Sequence, residues 1–414
     1  MIGLVDGNNF FVSCERVFDP TLEGKPVAVL SNNDGCCISR SNEFKALGIS
    51  MGTPYFQIRN IPGLILRSSN YELYGDLSRR VISTLNTLVP NVEQYSIDEA
   101  FIHPGLPEDA DFYSFGCEVR KRVLKWVGIP CGVGFAQTKT LAKIANHIGK
   151  KQPSGVFVMP AEPREVLEKT PVSEIWGIGR RLAPQLERLG IRNAWQLSQK
   201  DPAVMQKKFS VNLGRTVMEL RGTPCFEEED PEEASKSITC SRSFGYPVVE
   251  FRELEEAVAV YTAKAAEKLR KEKLCAAGAN VYFQMYPEYE PNPRPAGTTA
   301  ITVTFPVPTD DTSRMLSAIF PKLTAIFIDG RRYKKAGVIF FGLESATSVQ
   351  PDLFSPIPKK ERSELFKTVD MVNKKFGRGT VFTLSEGIEK KWQMKREMLS
   401  GHYTTDWDGL LTVK

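Results

Sequence analysis

The 414-residue sequence has no apolar run long enough to span a bilayer, so neither a helical membrane protein nor a membrane partner is expected. Its start, Met1-Ile2-Gly3-Leu4-Val5-Asp6, lacks the basic head and small-residue cleavage site of a signal peptide. The 8 cysteines have no metal-ligand spacing, and the neighbours Cys36 and Cys37 cannot form a Cys-x-x-Cys pair. A reduced, cytoplasmic protein is the expectation. A large excess of one charge sign is also missing, with 54 basic against 49 acidic residues. The net charge of +5 permits an anionic partner without demanding one. The remainder is ordinary for a globular chain, 42% apolar and 25% charged, and its length calls for several domains.

The stretch Tyr95-Ser96-Ile97-Asp98-Glu99-Ala100-Phe101 puts two adjacent carboxylates inside an apolar, strand-like run. Burying such a pair is costly unless something positive neutralises it. A divalent cation is the usual neutraliser, and Mg²⁺ favours a couple of carboxylates completed by substrate phosphates. Residues 2–5 read as a buried strand delivering a third acid, Asp6, into the turn Gly7-Asn8-Asn9. Alone, Asp6 fits a cap or turn, and Asp98-Glu99 fits an exposed hairpin turn. The apolar Ile97, Ala100 and Phe101 argue against full exposure. Side chains alternate faces along a strand, so adjacent acids converge only where the backbone bends. One metal site built from Asp6, Asp98 and Glu99 is the expectation.

The elements 2–5, 71–88, 92–96, 100–102, 111–127 and 131–135 run strand, helix, strand, strand, helix, strand. This is the ferredoxin-like order, which would place Asp6 and Asp98-Glu99 on neighbouring strands. Short strands at 27–30 and 36–39 flank the hairpin signal Asn33-Asp34-Gly35, within a stretch that reads as an insertion. A helix over 138–150 carries Lys139, Lys143 and Lys150 on one face. By default such a stripe is solvated surface. Beside a phosphate-handling site it becomes a contact to triphosphate or DNA backbone. Residues 173–202 are compact and helical around Trp176-Gly177-Ile178-Gly179. Gly177 and Gly179 would leave backbone N–H groups open to a phosphate, with Arg180 and Arg181 next in line. An ordinary helical hairpin fits the glycines equally well.

The acidic run 227–233 marks a domain boundary. Beyond it the same element order recurs over 237–343 without paired acids at its strand ends, so a second, non-catalytic module is expected. Lys236, Ser237, Ser241 and Arg242 would form its phosphate-gripping face. Residues 345–358 are rich in Ser, Thr and Pro and hold Gln350-Pro351-Asp352-Leu353-Phe354, a candidate docking peptide. The tail 359–414 has basic excess, Trp392 and Trp407, and chemistry that spacing does not reveal.

Taken together these residues resemble the Y-family translesion DNA polymerases. The resemblance rests on Asp6 after an apolar strand, on Tyr95 to Phe101, and on Gly132-Val133-Gly134 through Lys143. It extends to Ser31-Asn32-Asn33-Asp34-Gly35-Cys36, Trp176 to Arg181, and Cys240-Ser241-Arg242-Ser243-Phe244-Gly245. Trp392-Gln393-Met394-Lys395-Arg396 and Tyr403-Thr404-Thr405 resemble the UmuC branch, the catalytic type of DNA polymerase V. Nearly the whole chain is covered. The resemblance implies an α+β multidomain fold: a ferredoxin-like palm (1–10 and 71–165), a fingers insertion (11–70) and a helix-hairpin-helix thumb (166–232). A second ferredoxin-like domain, the little finger (236–345), would follow, then a linker (346–358) and a C-terminal extension (359–414).

The implied activity is error-prone translesion synthesis in the SOS response, joining dNTPs to a primer 3′-hydroxyl on template DNA. Two Mg²⁺ ions would be held by Asp6, Asp98 and Glu99, with the Gly7 carbonyl as a further ligand. Phe11 matches the position of the ring that leaves no room for a 2′-hydroxyl, and Phe10 beside it is a further expected nucleotide contact; the bland alternative is that both rings are core. The family's Tyr and Arg that clamp the triphosphate are replaced, on alignment at Gly48, by Asn42 and Lys45. A lysine there is a point charge rather than a fork. Lys150 matches a phosphate-contacting lysine. Gln350, Leu353 and Phe354 resemble a sliding-clamp docking motif. The branch implies a cleaved UmuD-type dimer and RecA as partners. Two other readings stand beside this one. A non-catalytic DNA-binding scaffold leaves the three acids unexplained. A nucleotidyl cyclase has no use for the helical hairpin or the second module.

Overall fold

In the computed structural model, Ile2–Gly7 is the middle strand of a five-stranded sheet. Glu99–His103 and Cys131–Ala136 flank it antiparallel, with Asn91–Gln94 and Val156–Val158 at the edges. Residues 1–107, 109–226, 235–288, 295–349, 360–377 and 379–406 are described. They fall into two compact units: Met1–Ser31, Gly35–Pro231 and Met398–Lys414 form one, and Asn32–Asp34 and Glu232–Glu397 the other. Among the described residues no helix is long and apolar enough to cross a membrane.

In the first unit the sheet has the expected ferredoxin-like order, extended by the parallel strand Val156–Val158. Leu4 and Val5 are both buried because the sheet is covered on both faces. Helices Tyr71–Leu85 and Phe112–Val127 pack Leu73, Leu77, Val119 and Val123 against Val5, Ala100 and Val133. The helix Lys139–Gly149 packs Leu141, Ile144 and Ala145 against Leu4 and Phe101 on the other face. Each helix starts at a polar cap: Asn70, Asp111 and Thr138 accept from the N–H groups of Leu73, Ser114 and Leu141.

Gly134 makes the last of these packings possible. A Cβ on it would overlap the backbone of Ala145 and Asn146, which cannot swing aside. Asn146 closes the same seam, its Nδ2 donating to the carbonyls of Leu4 (3.2 Å) and Gly132 (2.9 Å). Gly134→Ala is therefore expected to cost about 1–3 kcal/mol. A urea melt should show a lower midpoint, and an unchanged midpoint would refute the close approach.

The expected insertion has a small core of its own. Val27–Leu30 pairs antiparallel with Cys37–Arg40 and parallel with Ile65–Ser68, enclosing Ala28, Leu30, Cys37, Phe44 and Ile58. Residues 164–220 form short helices whose apolar faces share a cluster with Leu141 and Ile144. Glu219, fully buried, ties them down. Its carboxylate accepts from the Thr140 and Cys225 N–H groups, and its carbonyl accepts from the Thr138 hydroxyl.

The second unit contains a four-stranded sheet in the order Thr298–Thr309, Leu274–Met285, Tyr333–Ser345, Ile238–Val248, all antiparallel. Helices Phe251–Glu272 and Thr312–Leu323 share its core. The element order is the expected one, with a distinct sheet order: the second and fourth strands are central here, whereas the first and third are central in the other sheet. Trp392, 3% exposed, packs edge-on against Phe244 and Tyr261 in this core. Arg270 and Asp370 form a two-pronged ion pair, at 2.6 and 2.9 Å, joining helix Lys360–Phe376 to the long helix. The acidic run 227–233 and the peptide residues Gln350, Leu353 and Phe354 lie outside the described residues.

Candidate active site

Strand register brings the predicted acids together. Asp6, near the end of its strand, stands opposite Glu99 in the antiparallel pair. Asp98 precedes Glu99, and its carbonyl accepts from the Gly7 N–H at 2.8 Å. The bend that adjacent acids require lies at 95–98, between the paired strands Asn91–Gln94 and Glu99–His103. Ser96 shapes it: its Oγ accepts from the N–H groups of Asp98 and Glu99 and donates to Asp98 Oδ1 at 2.6 Å.

The lysine stripe faces these acids. Lys150 Nζ lies 2.6 Å from Asp6 Oδ1, Lys143 Nζ 2.9 Å from Glu99 Oε2, and Lys139 Nζ 2.6 Å from Glu93 Oε2. The expectation of a shared surface for triphosphate or DNA is corrected for Lys139, which is only 3% exposed. Its helix lies against the sheet, so the shared face meets the carboxylates of neighbouring strands. Lys143 also sits 4.4 Å from the Tyr95 ring centre and 5.3 Å from that of Trp176, whose Nε1 donates to the Tyr95 hydroxyl. That aromatic box around the Glu99 counter-ion was not foreseen from sequence, because Tyr95 and Trp176 are far apart along the chain.

Burial pushes the Asp6 carboxyl up to about 6; Lys150 works against this, and Glu99 and Asp98 add to it. Among the described residues no three His, Cys, Asp or Glu side chains form a ready-made metal cluster. The donor chemistry nevertheless fits a hard divalent cation: Asp6 stands opposite Glu99 at one strand end, Asp98 directly precedes Glu99, and burial disfavours the charged form of Asp6.

Positive charge converges on Asp6 from the insertion as well. Burial, Arg40 and Lys150 hold the Lys45 amine below its usual range, while Asp6 pulls it up. Arg40, Lys45, Lys150 and Asp6 therefore share one electrostatic neighbourhood. Arg40 donates through Nη1 to the Ile49 carbonyl, and its buried Nε has no hydrogen-bond partner among the described residues. Sequence reasoning missed Arg40, although an arginine ending a strand just before the capping residue Ser41 was a legible signal. Asn42 accepts at Oδ1 from Asn9 Nδ2 (3.0 Å), which ties it to the turn after Asp6.

Phe10 and Phe11 have separate roles. Phe10 is 4% exposed and packs under Gly7, so its expected nucleotide contact is corrected to a core position. Phe11 is half-buried, stacked on Tyr74 with 4.6 Å between centroids and 14° between planes. In the helical hairpin Gly177 has φ +82°, and it, Gly179 and Arg180 are exposed, with open space where a Cβ on either glycine would stand. Arg242 is exposed on an edge strand, but strand alternation groups it with Cys240 and Phe244. The single face expected for Ser241 and Arg242 is therefore corrected to opposite faces.

Residues 5–147 match the impB/mucB/samB family, residues 160–191 its HHH motif and residues 235–353 its C-terminal domain. Residues 363–413 match a domain of unknown function. The chain is 44% identical to Protein UmuC of Salmonella typhimurium over 424 aligned positions, covering 100% of each. It is 43% identical to Protein ImpB of the same organism, covering 98% of each. It is 27% identical to DNA polymerase IV of Desulfatibacillum aliphaticivorans, covering 91% of this chain and 94% of that one. A solved Y-family DNA polymerase chimera of Dbh and Dpo4 superposes with TM-score 0.66 at 22% identity, over 83% of this chain and 100% of its own. That likeness fixes the α+β multidomain polymerase fold. Full-length identity to UmuC fixes the rest: the chain belongs to the impB/mucB/samB family and is a UmuC-type Y-family translesion DNA polymerase, dependent on divalent metal.

Proposed function

We propose that this polymerase extends a DNA primer through Asp6, Asp98 and Glu99, acting together as the ligands of two Mg²⁺ ions. The observation that carries the reading is the placement of Asp6 opposite Glu99, with Lys150 on Asp6 and Arg40 and Lys45 nearby. Held by these three carboxylates, divalent metal would supply acidification of the primer 3′-hydroxyl and charge neutralisation at the triphosphate. The protein's own groups do the positioning. Ser96 holds the Asp98 carboxylate at the turn. Lys143 orients Glu99. Lys150, released from Asp6, and Lys45 and Arg40 receive the triphosphate, with Asn42 beside them, and Arg40 supplies the guanidinium that the alignment on Gly48 lacks. Phe11, braced by Tyr74, lies under the sugar and excludes a 2′-hydroxyl.

In this reading residues 1–10 and 71–165 serve as palm, 11–70 as fingers, 166–232 as thumb and 236–345 as little finger. Gly177, Gly179 and Arg180 grip the primer–template backbone, and Arg242 with the edge strand grips it from the second unit's own surface. A sliding clamp docks at Gln350, Leu353 and Phe354. Deleting Leu353-Phe354 should reduce clamp-stimulated synthesis and spare synthesis without clamp; equal loss in both assays would refute the docking role. A cleaved UmuD-type dimer, RecA, an SOS setting and a cytoplasmic location complete the proposal.

The test is primer–template, Mg²⁺ and one labelled dNTP at a time. Addition only of the nucleotide complementary to the template supports the reading. Binding without addition would favour the scaffold, and a cyclic nucleotide product the cyclase.

A further inference from the structure

The C-terminal tail returns to the first unit at Met398 and closes behind the ring assigned to the sugar. The Met398 carbonyl accepts from the Ser68 N–H (2.9 Å) and its N–H donates to Ser68 Oγ (3.0 Å). Ser400 Oγ then donates to Glu15 Oε1 at 3.2 Å. Asn70, the cap of helix Tyr71–Leu85, donates to Ser400 Oγ at 3.0 Å and to the Gly401 carbonyl at 3.4 Å. Tyr403 stacks on Phe18, with 5.0 Å between centroids and 3° between planes. Glu15 and Phe18 lie on the same helix, Phe10–Phe18, as Phe11.

Glu15 is the junction. It is 1% exposed, and the same Oε1 accepts from the Tyr74 hydroxyl at 2.6 Å. Burial raises its carboxyl above the usual range, while the hydroxyls of Tyr74 and Ser400 are the hydrogen bonds that oppose this. Tyr74 has no exposure, and its ring is the surface on which Phe11 lies flat. A side chain in a packed core cannot shift alone, so Ser400, Glu15, Tyr74 and Phe11 hold one another's positions.

We propose that Met398–Tyr403 is a strap that sets the height of the Phe11 ring, so that the C-terminal extension of this chain contributes to rejecting ribonucleotides. The inference rests on Phe11 being the ring under the sugar. Ser400 and Tyr74 are positioning residues in this scheme. Nothing in it requires the tail to touch nucleotide or DNA.

The experiment compares full-length Ser400→Ala, Ser400→Thr, Tyr74→Phe and Phe11→Ala. The readout is the ratio of kcat/KM for a ribonucleotide to that for the matching deoxynucleotide. Loss of folded enzyme cancels from this ratio, so a merely structural defect does not move it. Ser400→Ala and Tyr74→Phe should each raise it about threefold to tenfold, the range a single hydrogen bond commands. Ser400→Thr, which keeps the donor, should stay near the parent. A parental ratio in both Ser400→Ala and Tyr74→Phe, with a raised ratio in Phe11→Ala, overturns the strap and leaves the sugar-gate reading intact. A parental ratio in Phe11→Ala overturns that reading and the strap with it.

Discussion

Asp98→Asn is expected to slow primer extension at least about a thousandfold, about 4 kcal/mol of transition-state stabilisation. The substitution keeps the size of the side chain and an acceptor for the Ser96 hydroxyl, which lies 2.6 Å from Oδ1. It removes the negative charge, which supplies most of a carboxylate's hold on a hard cation. The turn should survive, because Ser96 still accepts from the N–H groups of residues 98 and 99. Primer–template affinity should stay within about threefold of the parent, because the proposed backbone contacts at Gly177, Gly179 and Arg242 carry no metal. Pre-steady-state extension and DNA titration of the same preparation separate the two effects. An extension rate within tenfold of the parent would remove Asp98 from the site.

Phe11→Ala is expected to raise ribonucleotide insertion relative to deoxynucleotide insertion by about fivefold to 150-fold. The estimate follows from the cost of forcing extra atoms into a filled site, about 1–3 kcal/mol, converted to a ratio of rates. The rigidity behind the ring makes this steric penalty effective. Phe11 stacks on Tyr74, which is fully buried and bonded to Glu15, so the ring has nowhere to retreat. Removing it opens space above Tyr74, whereas Phe10→Ala would excavate the core under Gly7 and lower stability without altering sugar choice. Insertion kinetics with matched ribo- and deoxynucleotides measure the ratio, and a parental value would contradict the assignment of Phe11.

The acids were legible because a buried carboxylate pair in an apolar run is physically costly; element order, by contrast, recurs in both units while the two sheets order their strands differently. Register then did what spacing could not: it set Asp6 against Glu99. The lysine helix shows the limit of periodicity. Spacing put Lys139, Lys143 and Lys150 on one face, but whether that face met water or protein depended on Gly134, which lets the helix press against the sheet. The shared face of Ser241 and Arg242 failed for a related reason, since period-two alternation separates the two although both are polar. Long-range partners such as Tyr95 with Trp176, or Ser400 with Glu15, leave no local pattern at all. The tail divides between the two units, with Trp392 in one core and Tyr403 on Phe18 in the other, and no composition signal marks the division.

The most direct test of the three-acid site counts metal. Mn²⁺, a spectroscopic stand-in for Mg²⁺, is titrated by electron paramagnetic resonance into the polymerase with a 3′-dideoxy primer–template and the complementary dNTP. Two ions should be bound at the site of the parent complex, one of them entering with the dNTP. Asp6→Asn and Asp98→Asn should each lose at least one. Two ions retained in a chain carrying Asp6→Asn, Asp98→Asn and Glu99→Gln together would contradict the site at its foundation.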